Sequence, residues 1–152
     1  MPTVAVIMGS QSDEEVMKGC TEFLSHFGIE YETLILSAHR QPEETSAFAR
    51  TAEQKGFRVI IAAAGMAAHL PGVIAAQTTL PVIGVPLPAS ELQGVDALYS
   101  IVQMPAGIPV ATVAIGKTGA RNAAVLAAEI LALNDSRVRE KLIAFKGNGA
   151  RF

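Results

Sequence analysis

Five short runs of apolar, largely β-branched residues recur along the chain: TVAVIM, YETLILS, RVIIAAA, PVIGVPL and PVATVAI. Between them, apolar residues return every three or four positions, the spacing of an amphipathic helix. Strands that are apolar on both faces belong in a parallel sheet covered by helices on each side. The alternation therefore predicts an α/β fold of five βα units, one domain over residues 1–152, with 135–152 as a C-terminal helix and polar tail.

The helical stretches can be bounded. After the first strand, SQSDEEVMKGCTEFLSHFG places Val16, Met17, Cys20, Phe23, Leu24 and Phe27 at helical spacing, and Gly28 ends it. Ser12 and Glu15 have the spacing of a capping box at its start. QPEETSAFARTAEQKG reads as a second helix, with Pro42 in its first turn and Gly56 at its stop. AAHLPGVIAAQT yields only a short or broken third helix, because Pro71 and Gly72 interrupt it. VDALYSIVQ supplies a fourth, and GARNAAVLAAEILALND a fifth with Ala123, Leu126, Ala127, Ile130 and Leu131 on one face. SRVREKLIAFKGNGARF is amphipathic for three turns and then polar.

Composition narrows the setting. Half the residues are hydrophobic and 17% are charged, so some apolar surface is expected to meet other subunits. No Asp, Glu, Lys or Arg occurs from Val59 to Ser90, a run long enough to raise the question of a membrane span. Pro71, Pro81, Pro86 and Pro88, with Gly65, Gly72 and Gly84, cut it into pieces too short to cross. The start, MPTVAVIMGS, has no basic segment and does not read as a signal peptide. The single cysteine, Cys20, excludes internal disulfides, suits a reducing cytoplasm and falls on an apolar helix face, as a core residue would. A net charge of −2 offers nucleic acid no global attraction.

In doubly wound sheets, ligands bind beyond the carboxyl ends of the strands. The first three strands end in MGSQSD, SAHRQP and AGMAAHLPG, whereas the fourth and fifth turns offer mostly Pro, Gly and Ala. Gly9, Ser10, Ser12 and Asp13 open a helix, where free N–H groups favour an anion; plain capping by Ser12 would account for the same residues. The turn matches neither a Walker loop nor G-x-G-x-x-G. A carboxylate repels phosphate, so Asp13 suits a hydroxyl-rich group such as ribose. Arg40 presents a planar fork suited to phosphate, and His39 can give and take a proton near neutral pH. The bland alternative pairs Arg40 with Glu43 or Glu44 at the helix start. In the third turn, Gly65 and the small residues around it allow close approach of a flat ligand beside His69, which could otherwise be a hydrogen-bonded core residue. His26 reads as surface or as a charge complement at a helix end. No cysteine lies near the histidines and no H-x-H or H-E-x-x-H spacing occurs, so no metal site is expected; G-x-S-x-G is also missing.

In that order and spacing, MGSQSD, SAHRQP, AAHLPG, PVIGVP, SIVQMPAGIPVATVAIG and GARNAAVLAAEIL resemble the class I PurE family, the 5-(carboxyamino)imidazole ribonucleotide mutases of purine synthesis. The resemblance covers nearly the whole chain. It implies a flavodoxin-like three-layer fold, a cytoplasmic homo-octamer with active sites at subunit junctions, and no metal, ATP or organic cofactor. The implied reaction moves a carboxylate from an exocyclic nitrogen to ring carbon 4 of a small nucleotide substrate handed on by the ATP-dependent carboxylating synthetase. No nucleic-acid or membrane partner is implied.

By the same resemblance, Ser10, Asp13 and Arg40 fall at substrate-binding positions, Ser12 and Ser37 near the phosphate, and Ala38 beside them. His39 matches the histidine assigned to proton transfer. Gly65, Met66, His69 and Leu70 fall in the loop around the base and its carboxylate. Met66 departs from the family, which usually has a second glycine there; a positive φ would strain methionine, whereas a role for the amide alone would not. Ala97 stands where serine is common. The class II relatives, which use free carbon dioxide, resemble this chain less and tend to carry Lys after the histidine. A receiver or flavin carrier is a poorer match, since Asp13 alone and Lys117 in GKTGAR make a thin acidic and basic complement.

Overall fold

The three central strands show no polar alternation because both of their faces are covered. In the computed structural model, which describes residues 2–152, these are β1 (Val4–Met8), β3 (Val59–Gly65) and β4 (Val82–Leu87), buried almost throughout. β2 (Tyr31–Ile35) and β5 (Ala111–Thr112) flank them in an all-parallel sheet of order β2-β1-β3-β4-β5. β2 is partly exposed along its length, as an edge strand can be.

One layer consists of α1 (Glu14–His26), α5 (Lys117–Leu131) and α6 (Ser136–Gly147). Met17, Cys20, Leu24, Phe27, Leu142 and Phe145 pack there with the outward residues Val4, Val6, Ile61 and Val85 of the sheet. The other layer holds α2 (Pro42–Thr51), α3 (Leu70–Ala75) and α4 (Val95–Val102), whose Phe48, Ala49, Leu70, Ile74 and Ile101 cover Ala5, Ile7, Ile60 and Ala62. The result is the expected α/β/α sandwich. Among the described residues no helix is long and apolar enough to cross a membrane.

Four local readings change. The capping box is formed by Ser10 and Asp13, not by Ser12 and Glu15, because a 3-10 turn at Gln11–Asp13 precedes α1 and moves the helix start downstream. Pro71 does not interrupt α3 but occupies its first turn, where the missing N–H costs nothing. α5 turns its smallest residues inward, with Ala120, Ala123, Ala124, Ala127 and Ala128 buried, so that α1 and α5 approach closely while Leu126, Ile130 and Leu131 pack at the margin. β5 is only two residues long. Val113 and Gly116 donate to the carbonyls of Gly84 and Pro86, so Pro86 faces β5 on the side where it has no N–H to give, and the ladder stops. Gly84 itself is required for packing, since a Cβ there would lie 2.4 Å from Ile101 Cγ2 on α4.

Candidate active site

The strand order reverses at β1: the chain goes to β2 on one side and then crosses to β3 on the other, opening the crevice typical of such sheets. The ladder runs one residue past the strands, through Leu36 N–H to Met8 O (2.9 Å) and Gly9 N–H to Ala63 O (3.3 Å). Three turns therefore leave the sheet side by side.

The first turn is held by its own side chains. Ser10 N–H donates to Asp13 Oδ2 (3.2 Å), Ser12 N–H donates to Ser10 Oγ (3.3 Å), and the two hydroxyls lie 2.9 Å apart. Asp13 makes no side-chain cap to α1. Burial raises the Asp13 carboxyl above the ordinary carboxylate value, with the Ser10 N–H working in the opposite direction.

The second turn closes on Ser37. Its carbonyl accepts from Gln41 N–H (2.8 Å), its hydroxyl from Arg40 N–H (3.2 Å), and its own N–H donates to Gln41 Oε1 (3.2 Å). Below it Thr45, fully buried, donates its hydroxyl to the carbonyls of Gln41 (2.8 Å) and Ser37 (3.4 Å). Ala38 is half-buried, while His39 and Arg40 stand exposed on this rigid loop. Among the described residues the Arg40 guanidinium has no carboxylate partner, so the alternative pairing with Glu43 or Glu44 is not formed.

The third turn begins at Gly65, where a Cβ would lie 2.6 Å from Ala89 Cβ; only glycine lets the turn after β4 approach so closely. Met66 has φ of 55° and is 60% exposed, so the methionine sits in the left-handed region that its position invites a glycine to fill. His69 is exposed at the N-cap of α3 rather than buried. Leu70, at 2% exposure, turns its side chain into the core, so only its backbone faces the loop.

His39 Nε2 and His69 Nδ1 are 2.7 Å apart, with ring planes 82° from each other. Such a contact needs one nitrogen as donor and the other as acceptor, so the joined rings carry at most one proton beyond their neutral forms. The arrangement is suited to passing a proton. Arg40, which follows His39 in the chain and has no carboxylate partner among the described residues, and the hydroxyl-lined turn after β1 lie at the same end of the sheet, and both are suited to phosphate.

Other candidates lie elsewhere. Cys20 is buried, which pushes its thiol up to about 12. His26, in the last turn of α1, stacks on Phe152 with ring centroids 3.4 Å apart. Lys117 lines a surface recess with Glu15, Lys18, Glu22 and Arg121. A recess of about 920 Å³ opens at the opposite, amino end of the strands, beside Thr3, Arg58 and Lys141, far from the paired histidines in the fold.

Sequence reading missed several contributors. Thr45, Gln41 and Gln77 carry no chemical signature, although Gln77 is a polar residue in an uncharged run. The fourth turn is also more polar than expected: Ser90 Oγ donates to Asp96 Oδ2 at 2.7 Å, while Asp96 Oδ1 is buried without a hydrogen-bond partner among the described residues.

The fold and the site together define a flavodoxin-like α/β protein with a histidine-paired crevice. The chain belongs to the AIR carboxylase family, whose model matches residues 3–151. It is 56% identical to an N5-carboxyaminoimidazole ribonucleotide mutase of Saccharolobus solfataricus, over 95% of this chain and 90% of that one. It is 53% identical to the mutase of Escherichia coli, over 91% and 82% of the two chains. The crystal structure of Treponema denticola PurE, 31% identical, matches with a TM-score of 0.87 over 99% of this chain and 92% of that one.

Proposed function

We propose that this chain is an N5-carboxyaminoimidazole ribonucleotide mutase of purine synthesis. The carrying observation is the 2.7 Å contact between His39 and His69 at the switch point, with Arg40, next to His39 in the chain, lacking a carboxylate partner among the described residues. The mutases it resembles at 53–56% identity support the same reading.

Arg40 holds the substrate phosphate, with the hydroxyls of Ser10, Ser12 and Ser37 close to it, and Asp13 takes the ribose hydroxyls. Ala38, Gly65, Met66 and Leu70 frame the base, the last through its backbone. The N–CO2 bond of the carbamate breaks, carbon dioxide is released, and His39 gives the exocyclic nitrogen its proton. Ring carbon 4 then attacks the retained carbon dioxide, and His39 takes the proton that carbon 4 loses, so the cycle closes with no net proton change. His69 shares the His39 proton across their contact and shapes the carboxylate end. No resident cofactor takes part in this scheme.

The same reading makes the protein a cytoplasmic homo-octamer that receives substrate from the carboxylating synthetase. Val95, Tyr99 and Val102, with Leu92 before them, present an exposed apolar face on α4, which supports association with further copies. Purified protein supplied with the carboxyamino substrate in bicarbonate-free buffer should form the carbon-4 carboxylate. Product formed only from the uncarboxylated ribonucleotide plus bicarbonate would assign a carboxylase that uses free carbon dioxide instead.

A further inference from the structure

His39 and His69 stand on turns from different strands, so their 2.7 Å separation depends on how α2 and α3 are set against each other. α3 has six residues and cannot hold its own position by helical cooperativity. The side chain just past its end uses the whole of its amide for this purpose. Gln77 Oε1 accepts from Arg50 Nε at 3.2 Å, and Gln77 Nε2 donates to Ser46 Oγ at 3.0 Å and to Val73 O at 3.2 Å. Ser46 and Arg50 lie one turn apart on α2.

The run of bonds continues in both directions. Val73 N–H donates to His69 O at 2.9 Å, which carries the link to the backbone of the second histidine. Beside Ser46, the buried Thr45 hydroxyl donates to the carbonyls of Ser37 and Gln41, the two residues that bracket the His39 turn. A closed ring results: His39 turn, Thr45, α2, Gln77, Val73, His69, and back through the imidazole contact. We propose that Gln77 is a positioning residue, fixing α3 on α2 so that the His39 and His69 rings meet. It touches neither ring and acts only through the frame.

The activity arm of the test rests on the mutase reading; the spectroscopic arm does not. Gln77→Leu keeps the approximate volume and removes all three hydrogen bonds. In histidine-labelled full-length protein, the ring-nitrogen NMR shifts should report a hydrogen-bonded pair in the wild type and separate rings in Gln77→Leu. Turnover kcat should fall about tenfold with KM within about twofold, since the phosphate and ribose turns are untouched. Gln77→Glu keeps acceptors for Arg50 and the Ser46 hydroxyl but cannot donate to Val73 O, so its kcat should fall between those of Gln77→Leu and the wild type. If Gln77→Leu does not fold, Ser46→Ala removes one arm alone and should weaken the pair signal in the same sense. A ring pair that persists in these variants, whatever happens to Tm, or a kcat that falls equally in Gln77→Glu and Gln77→Leu, would overturn the proposal. Loss of the pair with full turnover would uphold the positioning role and overturn His39–His69 proton sharing. A wild type without mutase turnover would sink the functional reading alone.

Discussion

The two helical layers hold the same sheet in different ways. The α1–α5–α6 layer is a close-packed mass of Phe, Leu and Ala, in which every buried side chain is apolar or is the inert Cys20. The α2–α3–α4 layer has fewer large side chains, and it contains Thr45, the one buried polar residue among those described, and the Gln77 amide. Packing is nondirectional and tolerates small shifts, whereas hydrogen bonds fix angles and distances. Both histidines are carried by the second layer, the one that is fixed by direction.

That contrast can be broken by substitutions that separate chemistry from stability. His39→Asn should lower kcat by on the order of 10²- to 10⁴-fold while leaving the urea midpoint nearly unchanged, because the ring is exposed. Leu24→Ala, in the packed layer, should do the opposite, costing about 2–5 kcal/mol in denaturant unfolding with kcat of the folded enzyme preserved. Arg40→Ala should raise KM by on the order of tenfold or more, with little change in Tm; an unchanged KM would remove Arg40 from the phosphate site.

Smaller effects sharpen the picture. Met66→Gly should stabilise the protein by roughly 1 kcal/mol, seen as a Tm rise of a few degrees, because glycine accepts φ of 55° without strain. The smallest effect concerns Asp13, whose carboxyl is raised by burial in the folded state. The folded protein binds that proton more readily than the unfolded chain, so its stabilising contribution is present in acid and is lost as pH rises through the raised value. Asp13→Asn should flatten that part of the urea-midpoint profile; a profile identical to wild type would mean that the carboxyl is unperturbed.

Much of this could be read from residue order. Val4–Met8 and Val59–Gly65 were legible as buried strands because their apolar runs lack alternation, and α1 because Met17, Cys20 and Leu24 repeat at helical spacing. The strand-end rule pointed to Ser10, Arg40 and His69, and the structure has each on a turn that follows a strand. It could not reveal that two rings thirty residues apart share a hydrogen bond, since that depends on the relative placement of two helices. The start of α1 was misjudged because the Asp13 carboxylate turns back to Ser10, a local competition that spacing alone does not decide. Gln77 was invisible for the opposite reason: its partners Ser46 and Arg50 are far away in sequence, and an amide has no distinctive chemistry until they are near.

Pro86 has an effect beyond its own strand. By stopping the ladder after Ala111–Thr112, it leaves the β5 margin almost without a run of free donors and acceptors on which another strand could grow. The sheet is thus closed to templated extension on that flank. Any growth of an assembly there must proceed through helix surfaces, where side-chain shape decides which neighbour fits.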